Sequence, residues 1–125
     1  MVRRGRIQMD AYVKAYEAVV PDAMVLTDAT RVLLYTQART LQMNYDEMRS
    51  MARSLMIRFQ NFNESLSKGD LSDSPWESSY ISELGRRRAT FETTLSCFLS
   101  LLRLNVGKDV ASKFSAEVNR IFADG

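Results

Sequence analysis

Ser82-Glu83-Leu84-Gly85-Arg86, then Arg87-Arg88, then Ala89-Thr90-Phe91-Glu92-Thr93-Thr94-Leu95-Ser96-Cys97-Phe98-Leu99-Ser100-Leu101-Leu102 is the stretch whose reading decides the fold. Gly85 and Arg86 stand at the start of the most apolar helix of the chain, expected over 86–103. Phe91, Leu95, Phe98, Leu99, Leu101 and Leu102 occupy more than one face of that helix, so it is expected to be central and buried. A glycine lets another backbone come close, and an arginine beside it can hold a carboxylate on a partner. The plainer reading is a helix start with solvated arginines. Arg87 and Arg88 read as solvated, and Cys97 as a small core residue.

Upstream, Ser74-Pro75-Trp76-Glu77 restarts a helix with a cap, a proline in the first position and a glutamate in the third. This predicts a short helix over 75–83, with Trp76 as its packing anchor or, alternatively, an interface residue. Ser67-Lys68-Gly69-Asp70-Leu71-Ser72-Asp73 before it is a loop by composition. Asn44 with Glu47 looks like a capping box, and Met48, Met51, Leu55, Phe59, Phe62 and Leu66 then step by three or four residues. That predicts a separate helix over 44–66, whose stripe is either core or the wall of a groove. A helix over 28–43, capped by Thr27 or Asp28, carries Val32, Leu33, Leu34, Ala38 and Leu41 on its apolar side. The first helix, over 7–20, shows Tyr12, Tyr16, Val19 and Val20 on one face and ends at Pro21. Downstream, Asn105-Val106-Gly107 breaks the apolar helix, and a last one over 108–122 shows Val110, Phe114, Val118 and Ile121 on one face. The expectation is an all-α protein: one compact helical bundle of about five to six helices around a central apolar helix, with residues 1–125 as a single domain.

Composition narrows function more than fold. Apolar residues make up 46% of the chain, too many for a disordered segment. The net charge of +2 gives no general field that demands nucleic acid, and the basic clusters are confined to Arg3-Arg4-Gly5-Arg6 and Arg86-Arg87-Arg88. There is no histidine, so the usual general base and the commonest metal ligand are missing. One cysteine permits no disulfide within the chain and has no histidine to activate it. No phosphate-binding glycine loop and no Cys/His metal spacing appears. The expectation is a protein that is not an enzyme, needs no cofactor and no metal, and has neither a membrane span nor a stable membrane anchor.

The Gly-Arg start to an apolar helix, surrounded by amphipathic ones, resembles the B-cell lymphoma 2 (Bcl-2) family of apoptosis regulators, and most of all its short viral members. The family's homology-1 motif, Asn-Trp-Gly-Arg, corresponds to Glu83-Leu84-Gly85-Arg86. Gly85 and Arg86 match, Leu84 replaces Trp, and Glu83 replaces the Asn that helps hold a ligand aspartate. Val25-Leu26-Thr27-Asp28, Val32-Leu33-Leu34, Thr36-Gln37 and Asn44-Tyr45-Asp46 are similar to the second helix and following turn of a viral member. The homology-3 pattern falls on Leu34, Gln37, Ala38, Arg39, Leu41 and Tyr45. Arg39 stands where a death ligand carries its aspartate, which favours a receptor for such ligands over being one.

The resemblance implies an anti-apoptotic protein that sequesters the amphipathic Bcl-2 homology 3 (BH3) helix of pro-apoptotic proteins in a hydrophobic groove. It implies groove residues Leu34, Leu41, Tyr45, Met48, Met51, Leu55, Phe59, Glu83, Gly85 and Arg86, with Arg86 pairing the ligand aspartate. It implies a viral protein at work in the host cytosol, with recruitment to mitochondria. The last helix corresponds to the family's sixth, so part of the usual covering is expected to be absent, which leaves room for a homodimer. Outside the resemblance, two other readings stand: a helical RNA-binding protein using Arg49, Arg53, Arg58 and Arg86–Arg88 along phosphates, and an oligomerisation module.

Overall fold

Four helices account for nearly all of residues 10–21, 24–69 and 78–124, which a computed structural model describes. They are α1 (Ala11–Val19), α2 (Asp28–Ser67), α3 (Ser78–Val106) and α4 (Lys108–Asp124). No strand occurs among the described residues. The all-α expectation holds at this level. The Arg3–Arg6 cluster and the Ser74–Glu77 helix start with Trp76 lie outside the described residues.

The helix count differs from the expected five to six because two expected breaks do not occur. Asn44 lies in the middle of α2, and Gly85 lies inside α3 rather than at a helix start. Nothing between Asp28 and Ser67 is glycine or proline. Leu34, Ala38, Leu41, Tyr45, Met48, Ala52, Leu55, Phe59, Phe62 and Leu66 alternate spacings of four and three along α2 without a fault. Such a heptad seam continues a helix through any local capping signal. One internal glycine costs a helix only about 1 kcal/mol relative to alanine, too little to end it.

The real ends have identifiable stops. Thr27 caps α2: its Oγ1 accepts the backbone N–H of Thr30 at 3.1 Å. Past Ser67, Gly69 takes a left-handed φ of 82° and its N–H donates to the Leu66 carbonyl at 3.0 Å. Gly107, at φ 98°, closes α3 by donating to the carbonyls of Leu102 and Arg103.

The chain divides into two compact units: residues up to Met43 together with those from Thr93 onward, and Asn44–Glu92. In the first, α1 packs against α4. Tyr12, Tyr16 and Val20 meet Leu34, Ala38 and Leu41 of α2, Phe98 and Leu102 of α3, and Phe114, Val118 and Ile121 of α4 in one buried core. Phe98 and Phe114 meet edge-to-face with centroids 4.9 Å apart, and Tyr16 lies edge-on to Phe98 at 6.1 Å. Gln42 is the buried polar side chain of this core, and its Oε1 accepts the backbone N–H of Tyr12 at 2.8 Å and of Val13 at 3.4 Å. The N-terminus of α1 is thus capped from α2, because Asp10 makes no side-chain cap.

In the second unit Phe91 alone is buried among the described residues. Tyr45 of α2 packs on Phe91 of α3 at 5.7 Å, and Arg58 lies over the Tyr80 ring at 4.8 Å. The expectation of a wholly buried apolar helix is corrected here. Phe91, Phe98 and Leu102 are the buried residues of α3, spaced by seven and four like the stripe of a one-sided helix, while Leu104 is exposed and so is Cys97, which falls off that stripe and is not the core residue expected.

Candidate functional site

The expected groove residues fall in both units. Leu34 and Leu41 are fully enclosed in the first unit, where they are core and present no surface to a ligand. Tyr45, Met48, Met51, Leu55, Phe59, Glu83, Gly85 and Arg86 belong to the second unit. Within it, Tyr45, Met48, Met51 and Leu55 are half-buried, and Phe59 is 36% exposed. The seam of α2 therefore changes character along its length. It is closed at Leu34, Ala38 and Leu41, half-covered at Tyr45, Met48, Leu55 and Phe62, and open at Ala52, Phe59 and Leu66.

At the head of this region a small ion-pair ladder crosses from α2 to α3. Glu83 is its centre: Oε1 accepts from Arg86 at 2.6 Å and Oε2 from Arg87 Nε at 2.9 Å. Arg87 also reaches Glu47 Oε2 on α2 at 3.2 Å. The hydrogen bond that Arg87 donates to Glu83, and after it the charge of Glu47, holds the Arg87 guanidinium above its ordinary pKa. The expectation that Arg87 is merely solvated is corrected: it ties the two helices of the second unit together. Its pairing with Glu83 is legible as a Glu-to-Arg i,i+4 step, but the Glu47 contact is not, because it joins different helices. Arg88 is exposed, with Glu92 at 3.7 Å.

Arg86 remains 71% exposed. Its partner is Glu83 of the same helix. Gly85 is exposed, and a Cβ built on it meets nothing within 4 Å, so the space above it is open.

Two shallow hollows flank the ladder. One of about 450 Å³ is lined by Asp46, Glu47, Ser50, Met51, Ser54, Tyr80 and Arg87. The other, of about 220 Å³, is bounded by Asn44, Glu47, Glu83, Arg86, Arg87 and Thr90. The first mixes carboxylates, a guanidinium and hydroxyls with Met51 and Tyr80, and the second is lined by polar and charged groups. No group of His, Cys, Asp and Glu fit to hold a metal occurs among the described residues. No helix among the described residues is long and apolar enough to cross a membrane. Compared with protein-family models, curated proteins and solved structures, the chain has no match in any of the three.

Proposed function

We propose that this chain is a non-catalytic receptor for an amphipathic helix, which lies along the open half of the α2 seam from Tyr45 to Leu66. The observation that carries this reading is the contrast within one heptad seam, fully enclosed at Leu34, Ala38 and Leu41 and open at Ala52, Phe59 and Leu66. A seam with an a/d repeat is completed by another helix offering the same repeat. Met48, Met51 and Met56 add adaptable side chains to that region. The ligand class is the BH3 helix of pro-apoptotic proteins. Its support is the resemblance at Glu83-Leu84-Gly85-Arg86, the open space over Gly85 and the exposed guanidinium of Arg86. Binding would withhold that helix from the death machinery in the cytosol of a host cell.

Because Glu83 occupies Arg86, only ligands whose carboxylate competes with it gain the ion pair, so selectivity is narrow. The test is calorimetric titration against a panel of homology-3 peptides. The expected result is binding of a few members at sub-micromolar strength, about −8 to −10 kcal/mol, with Glu83→Asn admitting more of the panel. Absence of heat and of displacement across the panel refutes the ligand class. Equal binding of most members by the unaltered protein refutes the role given to Glu83.

A further inference from the structure

Beside its seam, α2 carries a second pattern. With about 100° per residue, Arg49, Arg53, Met56, Ile57, Gln60 and Glu64 share an arc of roughly 100°, centred about 150° from Leu55. Met56 and Ile57 are 62% and 50% exposed. Arg49 and Arg53 make no ion pair with any described residue, although carboxylates are plentiful nearby. Glu64 reaches only Lys68, just past the end of α2, at 3.5 Å, and its side chain is 70% exposed. Two cations without an ion pair among the described residues, Arg53 exposed and Arg49 half-buried, an exposed apolar pair and a distant exposed carboxylate therefore lie on one side of one helix.

Their spacing is self-complementary. Two antiparallel helices related by a two-fold axis set residue i level with residue j of the other copy wherever i and j have a constant sum. When the axis passes between Met56 and Ile57, Arg49 comes level with the partner's Glu64, and Arg53 with the partner's Gln60. Met56 and Ile57 of both copies then meet at the centre. Both ends gain an ion pair at once, and the one register that does this also buries the exposed apolar pair. A parallel arrangement sets Arg49 against Arg49 and Arg53 against Arg53, like charge on like. We propose that this outer face of α2 is a self-association surface, with a second copy of the chain bound antiparallel to it. The face borders the seam, since Met56 lies only about 40° around the helix from Ala52, so the two readings share that edge and the charge swap at Arg49 and Glu64 tests self-association apart from peptide binding.

The contact runs about 15 residues, or roughly 22 Å of helix. That is well short of a standard interface, so the dimer is expected to be a weak one. Sedimentation equilibrium of the full chain from about 10 μM to about 1 mM reads it. The unaltered protein is expected to dimerise over this range. Arg49→Glu alone and Glu64→Arg alone are each expected to weaken dimerisation at least about tenfold, because each creates like-charge pairs at both ends. An equimolar mixture of the two variants is expected to form a heterodimer. In it the introduced carboxylate of one copy faces the introduced guanidinium of the other, while the retained Glu64 faces the retained Arg49. The double variant is expected to dimerise like the unaltered chain. Circular dichroism checks that these substitutions leave the helices intact. A strictly monomeric unaltered protein overturns the proposal. So do single variants that dimerise normally, or a mixture that recovers nothing. Binding of an RNA oligomer to an otherwise monomeric chain, lost in Arg49→Glu, assigns the face to phosphates and also overturns it.

Discussion

Gly85→Ala separates what the free protein needs at this position from what a ligand needs. Gly85 is a solvent-facing residue within α3, and a methyl group there meets nothing within 4 Å. The substitution therefore adds no clash and removes only the conformational freedom of glycine in the unfolded chain. A helix-interior glycine costs about 0.5–1 kcal/mol relative to alanine. The variant should gain about that much stability, which for a chain of this size raises Tm by roughly 2–4 °C. Urea denaturation followed by far-UV circular dichroism should show a higher midpoint and an unchanged m-value. If a ligand backbone approaches α3 over Gly85, the same methyl should weaken peptide binding at least about tenfold, or about 1.4 kcal/mol. A stabilised protein that has lost peptide affinity fits the reasoning in full. A loss of stability would mean that the space over Gly85 is needed by the fold itself. Unchanged affinity for a bound peptide would refute any close approach at Gly85.

Gln42→Ala should destabilise the protein by about 1–3 kcal/mol in chemical denaturation, because it leaves the buried N–H groups of Tyr12 and Val13 without their acceptor. Arg87→Ala should speed amide exchange in Tyr80–Phe91 while leaving α1 and α4 protected, since Arg87 links Glu83 to Glu47 only within the second unit; uniform loss of protection would contradict that. Arg120, through its hydrogen bond first and its charge second, lowers the pKa of Glu117. A carboxyl depressed in the folded state contributes stability above its unfolded pKa and loses it as pH falls through the folded value. Acid titration should therefore show a small loss of α4 helicity below the ordinary carboxylate range, absent in Glu117→Gln.

Much of this architecture is readable from periodicity, and the departures have specific causes. Tyr12, Tyr16, Phe114, Val118 and Ile121 fall on apolar faces of the sequence and are buried, because amphipathic spacing records burial directly. Thr27 as a cap and Gly107 as a stop are also legible, each through local backbone chemistry. Asn44 and Gly85 mislead because cap and glycine signals are local and weak. The seam running unbroken through Asn44, from Leu34 to Leu66, outweighs a capping box, and it can be read from the sequence by counting heptads. Leu34 and Leu41 illustrate the opposite difficulty. Periodicity says that they face something, but not whether that something is core or ligand. The contacts of Gln42 and Glu47 are beyond its reach, since their partners lie on other helices and follow no short-range spacing. The groove residues expected from Tyr45 to Arg86 do share one unit, yet what occupies their open side is a matter for the titration above.

The long-range cap by Gln42 has a consequence for how the chain reaches this fold. Helix α1 has nine residues, below the length of about 12–15 at which an isolated helix becomes even marginal in water. Its first turn is completed by an amide 30 positions along the chain. The coil-to-helix transition of α1 and its docking onto α2 are thus one kinetic event rather than two. During synthesis, residues 11–19 would remain coil until Gln42 has emerged, and a fragment ending before it would not regain that helix although its own sequence is intact.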